Sequence, residues 1–339
     1  MTQTRSTSDA SASLLRRLAA PALGVLLALV PALACKPGEK ASGTAPPASA
    51  SAPATTPVAA ADQPPVLRET AEAGRAPWSG LAEPRGAALD GRGRIWVSDF
   101  GHSRIAVFDL AGGPLGGWGG TKGNGKYQLQ DPGDVAIRGD DVYVADTWNG
   151  RVQHFNAAGQ FRDTAVAELY GPRGVAVAQD GSVWIADSGN NRLVVLQAGQ
   201  PNRLIGKAGA GADGFSFPVG VAASPSRVYV ADIGNHRIQV LGLDGKFQAP
   251  IPVAAWKETM EPYVAVDEKD HVFASVPAAS AVLELDRAGK VLHRWDADDA
   301  GKKLLKPTGL AFDGKSRILY VVDAISNAVG TVHVDAKKP

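Results

Sequence analysis

One stretch of the chain decides the fold, and from Pro172 to Leu196 it reads PRGVAVAQDGSVWIADSGNNRLVVL. A proline-led start and a short run of small apolar residues come first, and two strand-like runs separated by a turn follow. The same phrase begins at five other prolines, Pro84, Pro132, Pro218, Pro262 and Pro307. Successive prolines are 48, 40, 46, 44 and 45 residues apart. Such a period, with several short strands in each unit, predicts a β-propeller rather than a chain of separate domains.

Each unit is expected to form four strands. The first strand carries an alanine in all six units, and a small residue lets the innermost strands converge on an axis: Ala88, Ala136, Ala176, Ala222, Ala265 and Ala311. The second carries one aromatic residue per unit, which suits packing of one blade on the next: Trp96, Tyr143, Trp184, Tyr229, Phe273 and Tyr320. The fourth strand is expected at 160–165, 203–206 and 291–295.

The two ends of the repeat region are complementary. The sixth unit stops after its third strand, near Val334, whereas the strand-like stretch 66–71 has no unit of its own. We therefore predict an all-β, six-bladed propeller of four-stranded blades over residues 66–336. In this prediction the N-terminal strand completes the last blade and removes an open edge.

The repeated phrases are similar to the NHL repeat. The residues that carry this likeness are Pro-x-Gly-(Val/Leu/Ala)-Ala, (Val/Ile)-(Tyr/Trp)-(Val/Ile)-Ala-Asp and Asn-x-Arg-(Ile/Leu), most completely in units one to four. Unit five departs from the pattern, with Val276 and Ala281 at the Asp and Arg positions, and unit six has Ala328 for Arg. The resemblance implies a six-bladed propeller and a role in recognition rather than catalysis.

Four units repeat an Asp followed five residues later by an Arg. The pairs are Asp99 with Arg104, Asp146 with Arg151, Asp187 with Arg192, and Asp232 with Arg237. A carboxylate at a strand end is suited to cap the backbone amides of the following turn, and the Arg is close enough to pair with it. We interpret these pairs as structural parts of each blade.

The first 35 residues resemble an export signal. Arg16 and Arg17 precede an uncharged, mostly apolar run that ends at Cys35, the only cysteine of the chain. The sequence around Cys35 resembles a bacterial lipobox, which implies lipidation of this residue; ordinary signal-peptidase cleavage is the alternative. Residues 36–65 are rich in Ala, Pro, Ser and Thr, and we expect a disordered tether there.

Charge excludes one class of partner. The chain has 35 basic and 34 acidic residues, so no basic field covers it and nucleic-acid binding is not expected. The expected location is outside the cytoplasm, either on a membrane facing the periplasm or cell exterior, or secreted. Contact with the membrane is expected through the lipid anchor only. Nothing in the sequence indicates oligomerisation.

Six residues form the candidate binding face. In a propeller, the residues after the repeat prolines and the turns between second and third strands emerge on the same side. Residues there that are under no common repeat constraint are Arg85, Arg173, Tyr263, His102, Trp148 and His236. Such variation on a rigid scaffold is typical of function. Arg85 and Arg173 suit an anionic group and Tyr263 an aromatic wall; the alternative is that the two arginines only solubilise the rim.

No catalytic group is evident. Glu83, Asp131 and Glu261 precede repeat prolines and are weak candidates for a hard cation near the axis. We expect no cofactor, except Ca²⁺ or Zn²⁺ if the chain is an enzyme. The function predicted first is a binding or scaffolding module for an extracytoplasmic protein or a small anionic ligand. The alternative is a metal-dependent propeller enzyme of the lyase, lactonase or hydrolase type.

Overall fold

The computed structural model describes residues 64–71, 74–256 and 261–335. In this part of the chain, five antiparallel four-stranded sheets and one three-stranded sheet each come from one contiguous stretch of sequence. The prediction of a six-bladed all-β propeller is confirmed. The predicted signal segment, Cys35 and nearly all of the predicted tether lie outside the described residues. Among the described residues, no helix is long and apolar enough to cross a membrane.

Each blade runs from the axis outward in chain order. Blades one and two consist of β1 (Ala87–Leu89), β2 (Arg94–Asp99), β3 (Arg104–Asp109), β4 (Pro114–Gly119), β5 (Asp134–Arg138), β6 (Asp141–Asp146), β7 (Arg151–Asn156) and β8 (Phe161–Val166). Blade three consists of β9 (Val175–Val177), β10 (Val183–Asp187), β11 (Arg192–Leu196) and β12 (Arg203–Ile205). A short parallel pair, β13 (Lys207–Ala208) and β14 (Gly214–Phe215), follows it.

The second half repeats this order. Blade four consists of β15 (Pro218–Ala223), β16 (Arg227–Asp232), β17 (Arg237–Gly242) and β18 (Ile251–Pro252). Blades five and six consist of β19 (Val264–Val266), β20 (Val272–Val276), β21 (Ala281–Leu285), β22 (Val291–Trp295), β23 (Pro307–Asp313), β24 (Ile318–Asp323) and β25 (Ala328–His333). Single 3-10 turns join second to third strands at Phe100–His102, Thr147–Asn149, Ser188–Asn190, Ile233–Asn235 and Pro277–Ala279.

Six clusters of apolar side chains in the described residues each lie between two successive blades. A smaller seventh cluster consists of Val219, Ile233 and Tyr263. The second-strand aromatics belong to these clusters, as their spacing predicts. Trp96 and Trp184 are fully buried, and Phe273 of blade five lies 5.0 Å from Phe312 of blade six, between ring centroids. Burial of one such ring in each seam contributes about 1.5–3 kcal/mol. Tyr143 is the exception, since it is only partly buried and stacks on His154.

The seam between blades six and one closes the ring without a shared strand. The Gly309 N–H donates to the Arg85 carbonyl at 2.6 Å, and the Glu83 N–H donates to Asn327 Oδ1 at 2.7 Å. Trp78 fills the outer part of the seam, 5.5 Å from Phe108 and 6.3 Å from Tyr320 between ring centroids.

The N-terminal segment differs from the prediction. The Arg68 N–H donates to the carbonyl of Leu115 in β4, and Leu67 packs into the cluster between blades one and two. Residues 66–71 therefore lie along blade one, and the described part of blade six has three strands. The free edge of β25 is covered instead by the turn after blade five, where the Asp299 N–H donates to the Thr331 carbonyl.

Candidate functional site

The upper face of the propeller is defined by the starts of the innermost strands and by the 3-10 turns. Strand register places them together, because β1 and β2 are antiparallel with Ala87 opposite Val97, and the Phe100–His102 turn follows the end of β2. All six predicted binding-face residues belong to these starts and turns. The structure draws only three of them to the axis: Arg85, Arg173 and Tyr263.

Arg85 and Arg173 share one carboxylate. Arg173 pairs with Glu261 through Nη1, and Arg85 Nη1 lies 3.6 Å from the other oxygen of the same group. Each guanidinium also covers an aromatic ring: Arg85 Cζ lies 4.6 Å from the Phe100 centroid, and Arg173 Cζ lies 5.1 Å from that of Phe217. The anionic group that these arginines hold is thus a carboxylate of the protein itself, whereas the sequence suggested an anionic ligand or a solubilising role at the rim.

Tyr263 crosses the axis. It starts the inner strand of blade five, and its hydroxyl donates at 2.7 Å to the carbonyl of Gly133 in blade two, on the opposite side of the ring. Burial raises the pKa of Tyr263 well above its ordinary value, and the negative charge of Asp134 is the second cause. The side chain is 4% exposed and is a cross-brace rather than an open aromatic wall. We name Arg85, Arg173, Glu261 and Tyr263 the axial cluster.

The predicted turn residues have separate roles around the axial cluster. His102 Nδ1 lies 3.0 Å from Asp99 Oδ2 in blade one. At the same position in blades two to four, an asparagine side chain donates to the corresponding carboxylate instead: Asn149, Asn190 and Asn235. His236 has φ of 53° and its Nδ1 lies 2.9 Å from the Trp256 carbonyl oxygen. Trp148 is 58% exposed and is free to meet a partner.

The Asp–Arg pairs form in all four blades, with Nε to Oδ2 distances of 2.6 to 2.8 Å. The predicted capping direction differs, however. None of these carboxylates caps the turn that follows it. Each accepts instead the backbone N–H of the linker entering its own blade, from Ala82, Gln130, Tyr170 and Ser216. The pair therefore fastens the linker to the blade.

The three weak metal candidates do not converge. Asp131 Oδ1 lies 2.6 Å from Lys122 Nζ, Glu261 is held by the two arginines, and Glu83 is largely exposed. Glu83 and Asp131 have positive φ, as have Gly171 and Phe217 at the same place in other units. The property that these positions share is thus a positive φ at the residue before the repeat proline, not a metal-binding side chain. Within the described ranges, no group of three or more His, Cys, Asp or Glu side chains is arranged to hold a metal ion.

Sequence reasoning missed Asp134. It follows Gly133 on β5 and is 5% exposed, at the upper end of an axial cavity of about 210 Å³. Burial raises the pKa of its carboxyl well above the usual range, although the N–H groups of Val175 and Val135 favour the charged form. The signal was present, because four other units have glycine at this repeat position: Gly86, Gly174, Gly220 and Gly309.

Comparison with known proteins supports the repeat and the fold. Residues 81–108, 129–155 and 169–196 match the NHL repeat. A stretch of 166 residues is 26% identical to Protein SUPPRESSOR OF QUENCHING 1, chloroplastic, of Arabidopsis thaliana, and this match covers 46% of the chain but 15% of that protein.

Two solved propellers share the fold at low identity. A gluconolactonase from Xanthomonas campestris superposes with a TM-score of 0.58 and 15% identity, over 79% of this chain and 94% of that one. Virginiamycin B lyase from Staphylococcus aureus superposes with a TM-score of 0.51 and 12% identity, over 80% and 90% of the respective chains.

Proposed function

We propose that this NHL-repeat propeller is an extracytoplasmic binding module, anchored through a lipid on Cys35, whose upper face receives a protein partner. The anchor rests on the apolar segment that ends at Cys35 and on the proline-rich stretch after it. A diacyl chain gives firmer membrane attachment than a single acyl chain, and a tether lets the propeller reach a partner beyond the membrane surface.

Exposed aromatic residues on the upper face carry the proposal. Trp148, in the 3-10 turn of blade two, and Tyr170, in the linker to blade three, are 58% and 66% exposed. Leu305 and Ile325, also on this face, are 46% and 59% exposed. Tryptophan and tyrosine are enriched among the residues that dominate interface energies.

Tyr170 is exposed but fixed in place. Its backbone N–H donates to Asp187 at 2.8 Å, and its carbonyl accepts from the Gly189 N–H at 2.8 Å. The ring lies so close over Gly189 that a Cβ there would be 2.2 Å from Tyr170 Cδ1. A partner would therefore meet a preorganised ring, and little side-chain entropy would be lost on binding.

The axial cluster contributes less to this proposal. Arg85 and Arg173 are both held by the single carboxylate of Glu261, so we assign them the support of the face rather than its main contacts. A small anionic ligand remains the second occupant, because the Nε atoms of both arginines are buried without a hydrogen-bond partner in the described chain.

The test is a crosslinking pull-down from the envelope fraction of the source cells. We expect Trp148→Ala/Tyr170→Ala to lose a band that wild type recovers. The matched control is Leu204→Ala/Val291→Ala, which removes two exposed apolar side chains from the outer strands β12 and β22. Equal recovery by both double variants would contradict the proposal. Stoichiometric Ca²⁺ or Zn²⁺ that is retained by wild type and lost in Glu261→Gln would favour the enzyme alternative instead.

A further inference from the structure

Asp134 occupies a position at which four of the other five units have glycine and unit five has Val264. At Gly174 an added Cβ would lie 2.0 Å from the Val219 carbonyl oxygen, and at Gly309 it would lie 2.2 Å from that of Arg85. The missing side chain thus lets each inner strand approach the next blade. The fold alone gives no reason to replace glycine by a charged residue here, so the carboxyl group needs another explanation.

The carboxyl group spans three blades near the axis. Oδ1 accepts the Val135 N–H at 2.9 Å in its own strand, and it lies against Gly86 of blade one. Oδ2 accepts the Val175 N–H of blade three at 3.1 Å. Two amide donors do not offset the cost of a carboxylate that is 95% buried, so burial favours its protonated form unless a cation lies beside it, and Arg85 and Arg173 are held on Glu261. A cation beside Asp134 would complete its coordination.

The cavity below Asp134 offers hydrogen-bond acceptors to a ligand. Every innermost strand is the last strand of its sheet, so one edge of each faces the axis with no strand beside it. Carbonyl oxygens, which accept hydrogen bonds, alternate with N–H groups along such edges, and the Asp134 carboxyl group adds two further acceptor oxygens. Between them lie methyl and branched apolar groups, for example those of Ala88, Val177 and Phe312. The Tyr263 hydroxyl, which crosses the axis to Gly133, closes the upper end.

Size narrows the ligand class. A volume of about 210 Å³ is about seven times the share of one water molecule, which is more than a bare ion needs. A primary ammonium group has three donors and no acceptor, as in lysine, and so matches one carboxylate together with carbonyl oxygens. A short alkyl chain would fill the apolar remainder.

We propose that Asp134 makes the axial cavity a binding site for a small organic ammonium ion. The ammonium group lies against the Asp134 carboxylate and the carbonyl-bearing strand edges, and the alkyl part points along the channel toward the lower ends of the inner strands. This site is separate from the partner face, so Trp148→Ala/Tyr170→Ala should bind the ammonium ion as wild type does.

The experiment is isothermal titration of the full chain, in mild detergent, with n-propylammonium chloride. We expect wild type to bind n-propylammonium saturably and not to bind tetramethylammonium, which has no N–H donor. Asp134→Asn keeps the shape of the side chain and should weaken binding by at least about tenfold. Asp134→Gly restores the repeat residue, should fold, and should not bind.

Controls separate the carboxylate from general charge. Asp213→Asn removes an exposed carboxylate that pairs with Lys207 and should leave the affinity unchanged. The proposal is overturned if wild type shows no saturable heat, or if Asp134→Gly binds as well as wild type. It is also overturned if potassium or calcium chloride displaces propylammonium at lower concentration, because the site would then prefer an inorganic cation.

Discussion

Replacing Arg237 by alanine should destabilise the propeller more than the same change at Arg192, although both stand at one repeat position. Arg192 makes one hydrogen bond, from Nε to Asp187 at 2.8 Å. Arg237 bonds Asp232 in the same way, and its terminal nitrogens also donate to the carbonyls of Ala210, Gly211 and Gly214. In blade four the guanidinium therefore fixes a whole loop.

The magnitudes follow from these contacts. Loss of one charge-assisted bond at Arg192 should cost about 1.5–3 kcal/mol. Both arginines pair with a fully buried carboxylate, but Arg237 is 13% exposed against 31% for Arg192, and its removal also leaves three carbonyls without this donor, so it should cost about 3–5 kcal/mol. The difference of about 2 kcal/mol corresponds to a melting temperature about 4–8 °C lower for Arg237→Ala than for Arg192→Ala.

Urea unfolding followed by tryptophan fluorescence measures both variants, and urea avoids the ionic screening that guanidinium chloride would add. The matched control is the pair Asp187→Ala and Asp232→Ala. Each carboxylate accepts from one linker amide, one asparagine and one arginine, so these two variants should lose similar stability. Equal losses at Arg192 and Arg237 would refute the reasoning.

Three further outcomes are expected. Cys35→Ser should move the protein from the detergent to the aqueous phase in Triton X-114 partitioning, and unchanged partitioning would contradict lipidation. Deleting residues 1–73 should lower the melting temperature relative to deletion of 1–63, because Leu67 and its neighbours leave blade one, yet the propeller should stay monomeric; aggregation in gel filtration would show that the segment guards an open edge. Because burial raises the pKa of Asp134 above its ordinary 3.8, the folded state keeps this proton to higher pH than the unfolded chain does. Wild type should therefore lose stability relative to Asp134→Asn as pH rises above about 4, and a constant difference between their melting temperatures from pH 4 to 8 would contradict this.

The repeat made the blades predictable. The second strand of each blade carries an aromatic residue, such as Trp96 or Phe273, because every seam between blades must be filled in the same way. The spacing of these aromatics therefore indicates both the second strand and its packing against the neighbouring blade. The outer strands were predicted to within one or two residues, as at 160–165 against Phe161–Val166.

Contacts that span several units were not predictable from one unit. The Asp187 carboxylate accepts from an amide 17 residues earlier, whereas local capping rules look to the next turn. Tyr263 reaches a carbonyl 130 residues away because the ring brings blades five and two to opposite sides of a narrow axis. From the sequence Glu261 is a weak candidate for a cation ligand, but only the closed ring shows that two arginines meet on it.

Trp78 lies outside the repeat and had no pattern to reveal it. It packs in the seam between the first and last blades. The edge of β25 is covered by the turn after blade five rather than by an added strand, and a repeat count does not distinguish these solutions.

A ring without a shared strand has no topological lock. Every blade is a single contiguous segment, so, among the described residues, the seam between blades six and one has no linker crossing it, unlike the other five. We expect this seam to open first in native-state hydrogen exchange, with the Gly309 amide, bonded to Arg85 across it, among the earliest of the buried amides to exchange. A circularly permuted chain that joins residues 335 and 74 and begins between blades three and four should fold as well, and should move the early-exchanging amides to the new break.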